Sequence, residues 1–360
     1  MDGSLADAAA WGLGIIGWRW AGGTAKALWL GVLGLGVWAP VALDLLFGDP
    51  QRGHPVAVLG RLIAVLERVL RRVLVRIGPT PLREKAAGTL LWLGTVGAAG
   101  GAALLVEGAG YALAGPLGAA LVGSTVTWLC IAVRGLGRAA VEVEAALAAG
   151  DLALARARVG RIVGRDTDRM DEDGVVRAVV ETVAENTTDA VVAPLFFALL
   201  GGAPLAAMYR AVNTLDAMVG YRDARYRHMG WWSARMDDGW NWVPARLTGL
   251  LMLAVAACVP GWSARRALAV WRRDAAKHPS PNSGIPESVL AGALGIQLGG
   301  RNWYRGVPSD RALLGDARRG RTVDDIRRSV AMLYGTTAGF VLLTAVLGWT
   351  VFGTIGADGS

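Results

Sequence analysis

Between Ala86 and Val133 the chain runs for 48 residues without a lysine or arginine, and this stretch constrains the fold more than any other. A bilayer core takes a helix of roughly 20 apolar residues, so the block holds two spans and a turn. Gly108-Ala109-Gly110 and Gly115-Pro116 carry the turn chemistry. The arrangement expected is a helical hairpin with arms Ala86–Val106 and Gly115–Val133. Gly97 and Gly101 stand four apart, the small-xxx-small spacing that lets helices approach closely. Ala27–Phe47, with Pro40 and a lone Asp44, and Val330–Ile355 read as two further spans. Ala190–Met208 is interrupted by Pro194, Gly201-Gly202 and Pro204, and Leu247–Pro260 is short. Both are expected to be re-entrant or peripheral, since irregular backbone at membrane depth is tolerated where protein covers it.

Composition agrees. Hydrophobic residues make up 53% of the 360 and charged residues 18%, with mean hydropathy +0.40. That is more apolar surface than a water-facing domain needs for its core, and it excludes disorder. The fold expected is an all-α integral membrane protein with about four transmembrane helices, re-entrant or peripheral helices and large cytoplasmic loops. Its parts would be an N-terminal extension (1–26), membrane helices (27–133) with a basic loop (48–85), a cytoplasmic catalytic region (134–329), and a C-terminal helix and tail (330–360).

The net charge of +8 comes from 34 arginines and 3 lysines scattered between the apolar blocks. They form no single run of the kind a nucleic acid would need, and their placement sets membrane orientation instead. With four spans, the stretches 48–85, 134–189, 209–246 and 261–328, holding 8, 8, 6 and 13 basic residues, share one side, which is then cytoplasmic. Cys130 and Cys258 lie in apolar stretches without partner spacing and fill space. Gly12–Gly17 spells G-x-G-x-x-G, but no strand precedes it, so it is not read as a dinucleotide site.

The spans are almost free of charge, whereas transporters and pumps place ionisable groups within them. Carboxylates and amides crowd the intervening stretches instead, which points to an enzyme at the membrane's inner face. After Arg165-Asp166 comes a helical run in which Glu181, Glu185 and Asp189 stand four apart on one face. Like charges so stacked call for compensation by arginine or by a hard cation such as Mg²⁺. A second cluster places Arg210, Asn213 and Asp216 on one face, followed by Tyr221, Arg235, Asp237, Asp238 and Asn241. In His278-Pro279-Ser280-Pro281-Asn282-Ser283-Gly284, stiffening prolines accompany hydroxyls, an amide and free N–H groups near Gly284 that could cradle phosphate. His54 lies in the loop after the first span. No P-loop, H-E-x-x-H, C-x-x-C or G-x-S-x-G pattern occurs, and three lysines argue against Schiff-base chemistry.

The strings GDPQRGHPVAVLGRLI (48–63), VETVAENTTDAVVAPLFF (180–197), YRAVNTLDAMVGYRDARYRHMG (209–230), ARMDDGWNWVPAR (234–246) and HPSPNSGIPESVLAGALGIQLGG (278–300) resemble the CobD/CbiB family. These are the adenosylcobinamide-phosphate synthases of cobalamin biosynthesis. The resemblance runs from about Ala42 to Gly306. It implies a multispanning enzyme of the cell's inner membrane that joins adenosylcobyric acid to (R)-1-aminopropan-2-ol, or its O-phosphate, as an amide with ATP hydrolysis. A homo-oligomer is compatible with it. Residue type then suggests Glu181, Glu185, Asp189 and Asp237 for Mg²⁺–ATP, with Arg165, Arg210, Arg235 and the loop Ser280, Asn282, Ser283 and Gly284 for phosphate. Glu185 with Asp216 or His54 are catalytic candidates, the latter two for taking the amine's proton. Asp166, Asn186, Asn213, Tyr221, Asp238 and Asn241 are candidates for substrate binding. The other readings are a non-catalytic membrane sensor of the same architecture and a corrinoid or amine carrier.

Overall fold

The computed structural model describes residues 34–50, 54–221 and 223–357, with side chains as far as Trp349. The extension 1–26, the Gly12–Gly17 pattern and the start of the Ala27–Phe47 segment lie outside the described residues. In chain order a π-turn, Gly34–Trp38, leads into α1 (Ala39–Phe47), α2 (Pro55–Ile77) and the long α3 (Pro81–Trp128). Then come α4 (Val133–Ala148), α5 (Leu152–Val159) and α6 (Glu172–Thr187). A second π-turn, Thr188–Val192, leads into α7 (Ala193–Val219), α8 (Trp231–Trp240), α9 (Trp242–Cys258), α10 (Ala264–Asp274) and α11 (Gly284–Leu294). An antiparallel hairpin, β1 (Leu298–Tyr304) and β2 (Val307–Leu314), precedes α12 (Asp324–Ala357).

The protein is an all-α membrane protein apart from that hairpin. Three described helical stretches are long and apolar enough to cross a membrane: Pro81–Ala148, Glu172–Val219 and Asp324–Trp349. A fourth is reached if α8 and α9 count as one broken span. The described chain divides into two compact units. One comprises the described parts of Met1–Ala132, Ala193–Trp240 and Leu343–Ser360, the other Val133–Val192 and Asn241–Leu342.

The first unit is built on two helical hairpins made by the same backbone device. In α3 the helix breaks at Ala114 (φ −141°, ψ 24°) and Gly115 (φ 60°, ψ −150°), and Pro116 restarts it. In α7 it breaks at Gly201 (φ −150°, ψ 26°) and Gly202 (φ 69°, ψ −164°), and Pro204 follows. Glycine supplies the positive φ in each case, and a proline in the first turn of the new helix forgoes an N–H that would go unbonded anyway. The chain reverses at both. Phe197 stacks on Tyr209 at 5.2 Å, whereas twelve residues of straight helix would separate them by about 18 Å. In α3 a Cβ built on Gly118 would lie 2.1 Å from Gly110 O. The α3 turn falls where Gly115-Pro116 marks it, and the α7 turn explains the interruption of 190–208.

The two hairpins pack together through glycine, but not the pair the spacing suggests. A Cβ on Gly97 or Gly101 would meet no described atom within 4 Å; one on Gly100 would come to 2.7 Å from Met208 Cγ. Four-residue spacing identifies a helix face, and only the partner's position decides which glycine on the helix is buried. Around this seam Ile63 of α2, Leu91 of α3 and Val212, Leu215 and Val219 of α7 form a core with Met229. Both π-turns end two residues before a proline, Pro40 and Pro194. A widened turn there relieves the clash between the proline ring and the carbonyl four residues back.

The second unit centres on α11, every residue of which is buried. A Cβ on Gly292 would lie 2.6 Å from Ala267 Cα of α10, and one on Gly249 of α9 would lie 2.7 Å from Ile285 Cγ2, so backbone contact is tight on both sides. The valines of α6 (175, 176, 179, 180 and 183) are buried. Asp274 ends α10 by accepting from Arg273, Lys277 and the Gly315 N–H, which moors the end of β2.

The close glycine contact inside the α3 hairpin gives a direct test. Gly118→Ala should lower the melting temperature in detergent by the equivalent of about 1–3 kcal/mol, the usual range for overpacking. Gly97→Ala should be neutral or slightly stabilising, because a helical glycine there has open space. Equal melting temperatures for the two variants would contradict the packing described.

Candidate active site

Asp171 caps the start of α6 by accepting from Gly174 N at 2.8 Å. Along one face of this helix Arg177, Glu181 and Glu185 follow at four-residue intervals. The row does not continue in α-helical register to Asp189, because the intervening π-turn, Thr188–Val192, is wider. Compensation at the first carboxylate comes from arginine. Arg165 donates to Glu181 Oε2 at 2.6 Å, and Gly299 N donates to Oε1 at 2.8 Å. Both side chains of this ion pair are buried, 7% and 9% exposed. Arg165 also donates to Asn302 Oδ1, as does Arg177, which further binds the carbonyls of Gly299 and Arg301.

One turn on, Glu185 accepts from Ser283 Oγ at 2.8 Å. Ser283 belongs to the Ser280–Gly284 loop, which the sequence marks for anion binding. The N–H groups of Asn282 and Ser283 are not free there; both donate to Ser280 Oγ at 3.2 Å. Gly284 is required by space, since a Cβ would lie 2.3 Å from Ala275 O. Asn282 is buried and accepts from Arg246 at 3.4 Å.

Behind this loop sit groups that sequence reasoning missed: Glu287 on α11, Arg311 and Tyr304 on the hairpin, and the backbone of Gly299. Arg311 lies 3.2 Å from His278 Nε2 and donates to Tyr304 Oη at 2.8 Å. Both ring nitrogens of His278 meet a donor: Nε2 faces the Arg311 guanidinium, and Nδ1 takes the Ser280 N–H at 3.0 Å while lying 3.2 Å from Ser280 O. Burial pulls the imidazole below its ordinary pKa; the charge of Glu185 opposes that and Arg311 reinforces it. Glu287 Oε1 is 3.8 Å from His278 Nε2. Burial pushes the Glu287 carboxyl well above the usual range, and Glu181 and Glu185 push the same way. Burial favours the neutral forms of both Glu287 and His278, while Arg165, Arg177 and Arg311 face the carboxylates of Glu181 and Glu185, a balance that favours an anion.

The remaining expected residues fall as follows. Asp166 accepts from Arg305 N and Gly306 N at 3.0 and 2.7 Å, holding the hairpin turn. Asn186 donates to Thr182 O of its own helix. Asn241 is buried at the start of α9. His54, Arg210, Asn213, Asp216, Tyr221, Arg235, Asp237 and Asp238 belong to the first unit. There His54 caps α2 through Nδ1, accepting from Val56 N, with Nε2 at 4.0 Å from Asp49. Burial lowers the His54 pKa, and the charge of Arg210 adds to that. Asp216 O accepts from Gly220 N, Tyr221 and Arg235 are exposed, and Asp237 and Asp238 are half-buried on α8.

No three His, Cys, Asp or Glu side chains among the described residues are grouped to hold a metal by themselves. Mg²⁺ asks less, since one or two carboxylates suffice where phosphates and waters complete the shell. Glu185 fits that role: it accepts from Ser283 and retains carboxylate lone pairs, whereas Glu181 is engaged on both oxygens.

A family model described as CobD/Cbib protein matches residues 37–333. The chain belongs to the CobD/CbiB family. It is 49% identical over 309 residues to a cobalamin biosynthesis protein CobD of Geobacter metallireducens, covering 85% of this chain and 94% of the relative. It is 46% identical over 310 residues to a cobalamin biosynthesis protein CbiB of Salmonella typhimurium, covering 84% and 94%. No solved structure matches.

In this CobD/CbiB-family chain, Glu287 has a folded-state pKa above its unfolded value. Its stabilising contribution is therefore present below the unfolded pKa and lost as pH rises toward the folded one. Glu287→Gln should melt like the parent near about pH 4 and increasingly above it toward about pH 8. Thermal melts at both pH values check this; a variant less stable at the higher pH would show that the carboxylate is wanted ionised.

Proposed function

We propose that the protein acts in cobalamin biosynthesis as an ATP-dependent amide ligase. It would join the carboxylate of adenosylcobyric acid to (R)-1-aminopropan-2-ol or its O-phosphate, giving adenosylcobinamide or its phosphate. Its relatives, named cobalamin biosynthesis proteins, support the pathway. The observation that carries the reaction type is the buried cluster of Arg165, Arg177 and Arg311 around Glu181 and Glu185, with Glu287 held neutral.

A carboxylate is a poor electrophile. Mg²⁺–ATP supplies the phosphoryl group that makes it an acyl phosphate, which the neutral amine attacks with loss of inorganic phosphate. What such a transfer needs from a protein is positioning and charge neutralisation. The cluster is suited to both. Its guanidiniums are fixed by hydrogen bonds to Glu181, Asn302 and backbone carbonyls, so they need not reorganise as charge moves. Glu185, oriented by Ser283, is the group for the cation. The neutral His278, with Nε2 held by Arg311, keeps the wall of the site fixed without adding charge. We place this chemistry on the cytoplasmic side of the cell's inner membrane, in keeping with the basic stretches.

Purified protein in detergent should make the amide and consume ATP only when the corrinoid acid, amine and Mg²⁺ are all present. Glu185→Gln should lower kcat by about 10²-fold or more, the scale of removing one positioned charge-stabilising group, while melting like the parent. Amide formation without ATP, or a near-normal Glu185→Gln rate, would remove the mechanism. Uptake of corrinoid into vesicles without product would favour a carrier instead.

A further inference from the structure

The outer face of α2 has no part in the chemistry above, and helical geometry arranges its side chains in two parallel rows. Val58, Val65, Val69 and Val73 follow one another at intervals of seven, four and four residues. Arg61, Arg68, Arg72 and Arg76 repeat those intervals three residues later. Residues so spaced share a helix face, so a valine row and an arginine row run side by side for about 27 Å. We propose that this face lies on the bilayer surface and binds the phosphate headgroups of anionic phospholipids.

The opposite face of the helix is already taken. Ile63, Glu67 and Leu74 are buried there, and Leu59, Leu66 and Leu70 pack against the same core. The four valines, by contrast, are between 47% and 56% exposed, and all four arginines are exposed. A row of valines bared to water is unfavourable. Lipid covers it, while the arginine beside each valine lays its methylene stem along the apolar surface and lifts its guanidinium to the headgroups. Charge then selects the kind of lipid. Glu67 is the one acid on α2, and it is spent on Arg71 and Arg225 at 2.7 and 3.0 Å. Among the described residues no carboxylate pairs with Arg61, Arg68, Arg72 or Arg76, so the row is a line of uncompensated positive charge.

The corner between α2 and α3 fixes where this face sits. Val75, Ile77 and Leu82 are exposed around it. Arg83 donates to the carbonyls of Ile77 and Gly78, and Lys85 Nζ lies 4.8 Å over the Trp231 ring. Tryptophan beside basic residues at the start of an apolar helix marks the membrane–water boundary, and directly after Lys85 begins the stretch 86–133 without a basic residue. Four or more basic residues on an amphipathic helix beside a span are the composition that binds anionic headgroups. An acidic protein or a nucleic acid would match the arginine row and leave the valine row in water.

The test is the thermal stability of the full-length protein in mild detergent, titrated with dioleoylphosphatidylglycerol or dioleoylphosphatidylcholine. A ligand of the folded state raises the melting temperature with its concentration. The parent should reach half its response to phosphatidylglycerol at a concentration about tenfold or more below that needed with phosphatidylcholine. A variant carrying Arg61→Gln, Arg68→Gln, Arg72→Gln and Arg76→Gln should lose that preference and keep its response to phosphatidylcholine. Each basic residue near an anionic surface contributes about fivefold in affinity, the equivalent of about 1 kcal/mol. Arg72→Gln with Arg76→Gln should therefore already cut the preference several-fold, and this pair carries the test if the fourfold variant does not fold. In the parent, raising the salt to about 0.5 M should shrink the preference through screening. Equal affinity of the parent for the two lipids, or variants that prefer phosphatidylglycerol as the parent does, would overturn the proposal. So would equal stabilisation by glycerol 1-phosphate, which would make the row a site for soluble phosphate. A fall in oligomeric mass on substitution, with the lipid preference unchanged, would make it a contact between copies and overturn the proposal as well.

Discussion

The buried pair of Arg165 and Glu181 is the contact on which the architecture of the second unit turns. Taking two charges out of water costs several kcal/mol each, and their attraction repays this only where the remaining hydrogen-bonding capacity is used. Here it is used: the second oxygen of Glu181 takes the Gly299 N–H, and the second arm of Arg165 reaches Asn302. Arg177 binds the same Asn302 and two carbonyls of β1. The 165–166 stretch, the neighbouring α6 and the sequence-distant hairpin are thereby held in one register. Removing either partner would leave the other buried and unpaired, a loss of about 3–5 kcal/mol. The pair adds little stability of its own, and what it contributes is position. It places Glu185 one helical turn further along.

In the first unit, position comes from backbone rather than charge. Two hairpins of the same hand of break, each a residue near φ −145° followed by a glycine in the left-handed region, bring α3 and α7 together at Gly100 and Met208. The π-turns before Pro40 and Pro194 solve a different problem, that of carrying a helix into a proline without losing its direction. A chain this rich in glycine would otherwise be a weak helix former. Its glycines are tolerated because a few of them make contacts no other residue can, and membrane helices rely on close approach more than on hydrophobic contrast.

Much of this was legible in the residues, and where it was not the reason is physical. Gly115-Pro116 and Gly201-Gly202 mark helix reversals because their preferences are local. The row of Glu181 and Glu185, and its need for compensation, follow from helical spacing alone. What compensates is a tertiary matter: the row by itself suggests Mg²⁺, and only the fold shows that Arg165 takes Glu181. The hairpin was not foreseen. Its two-residue loop needs positive φ at both positions, and Arg305 is an unlikely occupant at 52°. The Asp166 carboxylate, 139 residues away in sequence, holds that turn by binding its two N–H groups. Glu287 and Arg311 escaped notice for the same reason, one lying in an apolar helix and the other on the unforeseen strand.

These missed residues change the electrostatic character of the site. Read from the chain alone, stacked carboxylates look like a cation site. In the folded unit burial favours the neutral form of Glu287, Glu181 is spent on Arg165, and three guanidiniums surround what remains. A site with one available carboxylate and surplus positive charge binds a cation poorly by itself and binds a metal–phosphate pair well, since each component neutralises what the other leaves exposed. Metal and phosphate should therefore bind together rather than in sequence. That coupling is the behaviour expected of an enzyme that must avoid holding a bare anion among its arginines when no substrate acid is present.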